Sequence, residues 1–432
     1  MQAVFISLGV FFLLLFLGVP IVFAVGFSCI AIWLQNPAIV TTPPYMFQAM
    51  TTSLDSFVLV AVPLFILSGQ IMAKGGIADK LFGFFGYFTG KSKSGLPITV
   101  IVTCLFYGAI SGSGPATAAA VGAMTIPVLT NLGYELSFAS ALVAVAGGLG
   151  VIIPPSIPMI MYGTATGASV GNLFIAGVLP GFLIAGCMIV YCVYYCRKHP
   201  PDEERLNQQY EVLHKYGFAR TFANSFFALL SPIIILGGIY SGIFTPTEAA
   251  AISVVYSLII SLFVYRSLKI RELAGLIKES LNSIAPVLII VGVSSVFGRA
   301  LALLQVTEAI SDFILTTFPG KVSVLLFINF LLLFIGCVMD TTPAILIFAP
   351  ILWPICQTLG MDIIHFGIIM VCNLAIGFVT PPVGINLFVT SALTGVPVMK
   401  LSKHALPFIV AFLIALLFIT FVPGISMFLI NL

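Results

Sequence analysis

Charged side chains are scarce in this sequence. Only 7% of its 432 residues are charged, whereas 60% are hydrophobic, and its mean hydropathy is +1.20. A soluble domain carries roughly 25% charged residues, so these few charges could not cover a water-exposed surface. Lipid must therefore be the solvent for most of the chain, and we expect a multi-pass protein embedded in a lipid bilayer. A net charge of +3 is too weak to indicate a nucleic-acid partner.

Metal-ligand and catalytic patterns are lacking too. The eight cysteines form no CxxC pair and the four histidines lie singly, which excludes the ligand spacing of common metal sites. Segment 86–92 imitates a phosphate-binding loop, but three residues separate its glycines where four are needed. We see no nucleophile–base pair at bilayer depth, which argues against an intramembrane enzyme. We expect a chain that is not an enzyme and does not hydrolyse ATP.

Long apolar runs are abundant. A membrane-spanning helix needs about 20 apolar residues, and seven runs approach or exceed this length. The first begins at the N-terminus without a basic region or a cleavage site, so we interpret it as a spanning helix rather than a signal peptide. The seven predicted spans are 4–33, 54–73, 171–196, 222–243, 247–265, 282–303 and 405–430.

Two further apolar stretches are interrupted in the middle by small and polar residues. Ser111-Gly-Ser-Gly-Pro115 divides residues 96–130, and Met339-Asp-Thr-Thr-Pro343 divides residues 321–358. Each flank is too short to cross a bilayer comfortably. We therefore predict two re-entrant helical hairpins, hairpin 1 and hairpin 2. Each is followed by a helix broken at a double proline, over 135–167 and over 363–394.

The two hairpins belong to an internal duplication. Gly108 and Gly336 lie 228 residues apart, and Gly150 and Gly377 lie 227 apart. A near-constant offset indicates repeated structural units. We divide the chain into a first repeat (1–196), a cytoplasmic loop with a linker helix (197–243) and a second repeat (244–432).

Lysine and arginine predict the orientation, because they collect in cytoplasmic loops. Segments 197–220 and 266–278 carry five and four of the 17 basic residues, whereas 34–53 carries none. We place the first two inside and the third outside, with the N-terminus inside and the C-terminus outside. The second repeat is then inverted relative to the first, as in secondary transporters that work by alternating access. The amphipathic segments 77–90 and 306–319 are expected at opposite interfaces.

The four breaks predict a polar pocket near the membrane midplane, since broken backbone survives in hydrocarbon only inside protein or beside water. Half-helix N-termini suit an anion, while hydroxyls, carbonyls and a carboxylate suit Na⁺. The alternative is that glycine and proline only allow close helix packing. The candidate Na⁺ ligands are Ser111, Ser113, Gly150, Pro154, Gly336, Asp340, Thr341, Gly377, Thr380 and Val383, and the candidate substrate contacts are Gly114, Ser156, Thr342 and Asn386.

Three charged residues need individual interpretation. Asp340 should lie deepest in the membrane, and we expect it at the ion or substrate site, with a helix cap or a proton carrier as alternatives. Arg299 could contact a substrate carboxylate, but we favour snorkelling to the interface. Glu248 fits a helix start that Thr245 caps.

Five motifs carry a resemblance to a known family. They are Gly108-Ala-Ile-Ser111-Gly-Ser113, Pro154-Pro-Ser156, Gly242-Ile-Phe-Thr245-Pro-Thr-Glu248-Ala249, Asp340-Thr-Thr342 and Thr380-Pro-Pro-Val-Gly384. In this order, and over essentially the whole chain, the sequence resembles the large membrane subunit of tripartite ATP-independent periplasmic (TRAP) transporters.

The resemblance implies an all-α fold of inverted repeats and an elevator motion of the domain that holds both hairpins. It implies a bacterial inner-membrane protein that imports an organic acid, such as a C4-dicarboxylate or sialic acid, with two or more Na⁺ ions. The implied partners are a small four-helix membrane subunit and a periplasmic substrate-binding protein. The alternative is an ion-coupled organic-anion transporter that works without a binding protein.

Overall fold

The computed structural model describes residues 2–35 and 42–432, and every regular element in these ranges is helical. The prediction of an all-α membrane chain is confirmed for this part of the sequence. Seven of its helices are long and apolar enough to cross a bilayer, and one bent pair is an eighth candidate. The predicted spans 171–196, 222–243, 247–265, 282–303 and 405–430 each coincide with one of the seven.

Ten helices precede the predicted cytoplasmic loop. They are α1 (Gln2–Phe16), α2 (Ile21–Gln35), α3 (Pro43–Leu54), α4 (Ala61–Lys74), α5 (Ile77–Thr89), α6 (Gly95–Ser111), α7 (Gly114–Asn131), α8 (Leu136–Gly147), α9 (Ile157–Thr166) and α10 (Val170–Lys198).

Eleven helices follow in the rest of the described chain. They are α11 (Glu203–His214), α12 (Gly217–Tyr240), α13 (Pro246–Ile259), α14 (Ile270–Leu303), α15 (Val306–Thr317), α16 (Lys321–Val338), α17 (Thr341–Thr358), α18 (Ile363–Gly377), α19 (Ile385–Thr394), α20 (Val398–Phe421) and α21 (Gly424–Met427). Short 3₁₀ turns at Val58–Val60 and Gly148–Val151 and a π turn at Ile260–Val264 adjoin α4, α8 and α13.

The prediction of one spanning helix over 4–33 is wrong. The chain turns between Phe16 and Ile21, where Gly18 has a φ of +77° and Val19 N–H donates to the Leu14 carbonyl at 3.0 Å. The two helices α1 and α2 fold back on each other, so both of their outer ends lie on the same side. The prediction that the N-terminus lies inside, on the opposite side from segment 34–53, required a single span and is therefore no longer supported. Part of that segment, 36–41, lies outside the described residues.

The second predicted span, 54–73, is only part of a longer bent pair. Helix α3 meets the helix over Val58–Lys74 at an angle of 68°. The segments expected at the interfaces, 77–90 and 306–319, coincide with the helices α5 and α15. Each of these precedes a pair of helices that meets at a predicted hairpin tip.

The hairpin regions have the same construction in both repeats. The arms are α6 and α7 in one and α16 and α17 in the other, and a capping side chain begins each second arm. Ser113 Oγ accepts from Ala116 N–H at 3.5 Å, and Asp340 Oδ1 accepts from Thr341 N–H at 2.7 Å. Both fill the N-cap position, where a side-chain oxygen satisfies an unpaired helical N–H group.

The helix that follows each hairpin is interrupted, and the interruptions interlock the repeats. The breaks separate α8 from α9 and α18 from α19, and both contain a cis proline pair, Pro154-Pro155 and Pro381-Pro382. The second arm of each hairpin packs against the half-helix after the break in the other repeat. Helix α7 contacts α19, and α17 contacts α9.

Paired glycines let each hairpin tip approach its helix break closely. A Cβ atom on Gly108 would lie 2.6 Å from the Gly150 Cα, and one on Gly377 would lie 2.2 Å from the Gly336 carbonyl oxygen. Backbone packed this closely leaves no room for any side chain. The glycine pairs that revealed the duplication in the sequence therefore form one glycine–glycine contact in each repeat.

Glu248 has the structural role that the sequence favoured. Glu248 Oε2 accepts from Thr245 N–H at 2.8 Å, while Thr245 Oγ1 accepts from Glu248 N–H at 3.3 Å, which completes a capping box. The structural interpretation of Glu248 is confirmed. Arg299 is exposed on α14.

We expect Gly377→Ala to destabilise the fold, because the new methyl group must displace the Gly336 backbone. Overpacking of this kind costs about 1–3 kcal/mol. Thermal unfolding of the purified protein should show a lower Tm than the wild type. Gly298→Ala is the matched control, since no atom lies within 4 Å of its added Cβ, and alanine favours a helix by up to about 1 kcal/mol. Equal Tm values for the two variants would contradict the glycine-contact argument.

Candidate functional site

A cavity lined by both hairpin tips lies beside α4 and α14. Its volume is about 640 Å³. One wall is formed by α4 and α14, and the opposite wall by the tips and the start of α9. The polar residues that line it are Gln70, Lys74, Ser111, Ser113, Ser283, Asp340, Thr341 and Thr342. Five of these were predicted from the sequence to bind an ion or the substrate.

Oxygen atoms converge at the tip of hairpin 1. The Ser111 hydroxyl lies 2.8 Å from the Thr117 hydroxyl and 3.3 Å from the Ser113 carbonyl oxygen. Gly150 completes the cluster from the helix break, because a Cβ there would lie 2.4 Å from Thr117 Oγ1. Hydroxyl and carbonyl oxygens without a carboxylate form a neutral set of hard ligands, which suits Na⁺.

Backbone contacts bind this tip to the first helix break. Gly112 has a φ of +62°, and its carbonyl accepts from Ile157 N–H at 3.3 Å. The carbonyl oxygen that approaches the tip belongs to Pro155 and would lie 2.7 Å from a Cβ on Gly112. Pro154, whose carbonyl oxygen was a predicted Na⁺ ligand, is buried within the break.

The tip of hairpin 2 supplies a carboxylate. Asp340 lines the cavity, and its Oδ1 accepts from Thr341 N–H at 2.7 Å and from the Thr341 hydroxyl at 3.4 Å. Among the ion pairs of the described chain, none includes Asp340. A half-buried carboxylate without a cation is costly in a membrane-embedded chain, so this geometry fits a bound cation.

Further predicted ligands lie behind this tip, in the second break. Thr380 Oγ1 donates to the Ile376 carbonyl at 2.9 Å, and Val383 N–H donates to the Cys337 carbonyl at 3.2 Å. Gly336 and Gly377 contact each other directly. The second break is thus fastened to the tip of hairpin 2 as the first break is to hairpin 1.

Of the four predicted substrate contacts, only Thr342 belongs to the described cavity lining. Ser156 is buried, donates to the Val151 carbonyl and caps α9 by accepting from Met159 N–H at 3.3 Å. Gly114 is buried against the Phe378 ring.

Asn386 forms a hydrogen bond that joins the two repeats. In a regular helix the Ala144 carbonyl would accept from Gly148 N–H, but the chain tightens there and Gly148 N–H turns to Val145 and Ala146 instead. Asn386 Nδ2 lies 2.9 Å from the Ala144 carbonyl oxygen and supplies the missing donor. The side chain is fully buried. Asn386 therefore joins the second break to the helix before the first break.

The wall opposite the tips contains polar residues that the sequence did not single out. Gln70 accepts from the Ser280 hydroxyl at 2.7 Å and donates to Ser283 at 3.2 Å. Lys74 pairs with Glu279 at 2.8 Å. These residues lie in ordinary-looking apolar helices, and only the packing of α4 on α14 brings them to the cavity. Thr117 was also missed, although its position four residues after Ser113 puts it on the same helix face; it is buried behind the tip and does not line the cavity.

The arrangement can hold cations at the tips and an anion between the walls. Ser111, Ser113 and Thr117 provide neutral oxygens, and Asp340 provides a charged one. Lys74 lines the same cavity with its charge paired to Glu279. A small organic anion fits the available volume, since ligand cavities are commonly about 300–1,000 Å³.

Comparisons with known proteins give one family. A family model described as the tripartite ATP-independent periplasmic transporter, DctM component, matches residues 8–425. The chain is 41% identical, over 97% of its length, to the isethionate TRAP transporter permease protein DctMQ of Oleidesulfovibrio alaskensis, and it spans 65% of that protein. It is 40% identical to the C4-dicarboxylate TRAP transporter large permease protein DctM of Pseudomonas aeruginosa, over 86% of each chain. It is 34% identical to the sialic acid TRAP transporter large permease protein SiaM of Vibrio cholerae, over 95% and 94%.

A solved structure shares the fold. The YdaH transporter of Alcanivorax borkumensis superposes with a TM-score of 0.62 over 88% of both chains, at 15% sequence identity. At this identity the likeness concerns the fold alone.

We expect Asn386→Ala to destabilise the protein by about 1–3 kcal/mol, because the buried Ala144 carbonyl loses its donor. The measurement is the thermal unfolding midpoint of the purified protein. Asn207→Ala, an exposed position on α11, is the control and should unfold within error of the wild type. If the two variants unfold alike, Asn386 does not hold the repeats together.

Proposed function

The chain belongs to the DctM component family of tripartite ATP-independent periplasmic transporters. From this membership we propose that it imports a small organic anion across the bacterial inner membrane and that a Na⁺ gradient drives the import. The observation that carries the proposal is the convergence of both hairpin tips on one cavity. Asp340 lines this cavity from one repeat, and Ser111 and Ser113 line it from the other.

Na⁺ coupling is supported by the chemistry of the tips. The first site would use the oxygens of Ser111, Ser113 and Thr117, with Gly150 beside them. The second would use Asp340 and Thr341, with carbonyls of the second break. Hard oxygen ligands with at most one carboxylate favour a hard cation over a transition metal.

The substrate class follows from the relatives and from charge. Their names give isethionate, C4-dicarboxylates and sialic acid as transported compounds, and all are anions at neutral pH. Bound cations at the tips would offset such a charge, since the Lys74 ammonium is already paired with Glu279. Gln70, Ser283 and Thr342 would offer hydrogen bonds to its polar groups.

Alternating access is supported by the position of this cavity. It extends from the tips to Lys74, at the C-terminal end of α4. By the basic-residue pattern this end is cytoplasmic. The cavity would therefore represent an inward-facing state, with the C-terminus periplasmic and the N-terminus on the same side as segment 34–53.

Two partners belong to the proposal. A small four-helix membrane subunit would pack on this chain, and a periplasmic binding protein would deliver the substrate. Both come from the family resemblance.

The test is uptake into proteoliposomes that contain this chain and its small subunit. Radiolabelled isethionate, succinate and sialic acid are offered with the binding protein outside, with and without an inward Na⁺ gradient. We expect accumulation of one of them only when both Na⁺ and binding protein are present. Uptake without binding protein would establish the binding-protein-independent alternative, and uptake indifferent to Na⁺ would rule out ion coupling.

Asp340→Asn tests the second site separately. Asparagine caps a helix as well as aspartate does, so the variant keeps the fold and removes only the charge. We expect the Na⁺ concentration for half-maximal uptake to rise about 10-fold, which corresponds to the loss of one charge-assisted contact.

The matched control is Asp202→Asn, at the aspartate that caps α11 outside the predicted spans. Its Na⁺ dependence should equal that of the wild type. An unchanged Na⁺ dependence in Asp340→Asn would remove Asp340 from the ion site.

A further inference from the structure

A second cavity lies at the open end of hairpin 2, away from the tips. Its volume is about 350 Å³. The start of α16, the start of α18 and the end of α20 form its walls. The polar residues that line it are Lys321, Asp362, His365 and Thr420. None of these was predicted from the sequence to bind a ligand, and the transport cycle proposed above does not use them.

His365 is the residue that indicates a ligand here. Its side chain lines the cavity and only 2% of it is exposed. Nδ1 lies 2.6 Å from the Ser426 hydroxyl, whereas Nε2 has no partner. A buried polar atom without a partner costs about 1–3 kcal/mol, so the occupant of the cavity should provide that partner.

The neighbouring contacts make Nε2 a donor. The Pro423 carbonyl already accepts from the backbone N–H groups of Ser426 at 3.1 Å and Met427 at 2.9 Å. The Ser426 hydroxyl lies 3.4 Å from that carbonyl oxygen and 2.6 Å from Nδ1 of His365, so donation to Nδ1 is the shorter and less crowded choice. The ring proton then resides on Nε2 and is available to an acceptor in the cavity.

The remaining charges favour an anion. Among the ion pairs of the described chain, none includes Lys321. Lys321 is the first residue of α16, whose N-cap Gly320 provides no side-chain cap, so free N–H groups add to its positive charge. Asp362 also lines the cavity, and its negative charge is partly offset by the helical N–H groups of Ile364 at 2.7 Å and His365 at 3.4 Å, from which its Oδ1 accepts.

The surroundings of the cavity indicate where this anion comes from. Val322 and Phe421 line it and are 59% and 40% exposed, and the adjoining Val422 is 46% exposed. Exposed apolar residues at the mouth of a membrane hairpin face lipid. An oxyanion at this level, beside an apolar rim, has the chemistry of a phospholipid headgroup.

We propose that the cavity at the open end of hairpin 2 binds a phosphate group, held by Lys321, the start of α16 and His365. A phospholipid headgroup is the source that the apolar rim favours, and free phosphate has the same chemistry. Such a ligand would join the first arm of hairpin 2 to α18 and α20 at the membrane interface.

The test measures binding to the delipidated, purified full chain. The probes are short-chain phosphatidylglycerol, short-chain phosphatidylcholine and inorganic phosphate. We expect phosphatidylglycerol to bind and Lys321→Gln to weaken it about 10-fold, as the loss of one charge-assisted contact predicts. Lys321→Glu should abolish binding. Both changes are at an exposed position, so the folded protein should survive them.

Lys278→Gln is the matched control, since Lys278 is exposed on α14 and forms no ion pair in the described chain. It should bind phosphatidylglycerol as the wild type does. His365→Gln should weaken binding as well, and its Tm reports whether it is folded.

Each possible binding result either supports the phosphate site or overturns it. Lys321-dependent binding of phosphatidylglycerol that inorganic phosphate does not displace supports a lipid headgroup. Lys321-dependent binding of inorganic phosphate supports a phosphate site filled from solution. Binding of phosphatidylglycerol that is equal in Lys321→Glu, Lys278→Gln and the wild type would overturn the proposal, as would the absence of binding by any probe.

Discussion

The need to satisfy broken backbone away from water controls this structure. A hydrocarbon environment offers no hydrogen bonds, and each unpaired backbone group costs several kcal/mol. Four interruptions therefore have to find their partners within the protein. Ile157 N–H reaches the Gly112 carbonyl, and Val383 N–H reaches the Cys337 carbonyl. In each repeat the helix break and the hairpin tip thus complete each other, and the glycine pairs exist because only bare backbone can come close enough.

The same constraint produces the candidate site. Where two tips and two breaks meet, oxygens remain that the fold does not fully use, and these can serve a cation. The repeats are equivalent in backbone but not in charge, because Ser113 caps one second arm and Asp340 caps the other. A difference at the capping position alone is therefore enough to give the two repeats different ion sites without altering the fold. A carboxylate strengthens attraction for a cation at one tip, while the neutral tip depends on geometry alone.

Much of this arrangement could be predicted from the sequence because its signals are local. Glycine, proline and short flanks marked the interruptions, and the duplication revealed their pairing. The turn at Gly18 was missed because hydropathy reports composition, and a proline within an apolar run also fits a kinked helix. Gln70 and Lys74 were missed because tertiary packing alone brings them to the cavity, whereas Thr117 could have been found from its spacing of four residues after Ser113. Asn386 was expected to contact substrate, yet its bond to Ala144 is visible only when the two repeats are placed together.

The interlocked repeats also limit how the protein could move. The contacts between α7 and α19 and between α17 and α9, together with the Asn386 bond, would have to break if the hairpins separated from each other. The opposite wall is held together by the Gln70–Ser280 and Lys74–Glu279 contacts between α4 and α14. An alternating-access motion at lowest cost would therefore leave both bodies intact and slide one past the other along the cavity. Both tips would then travel together, which is the motion that the proposed coupling of ions to substrate requires.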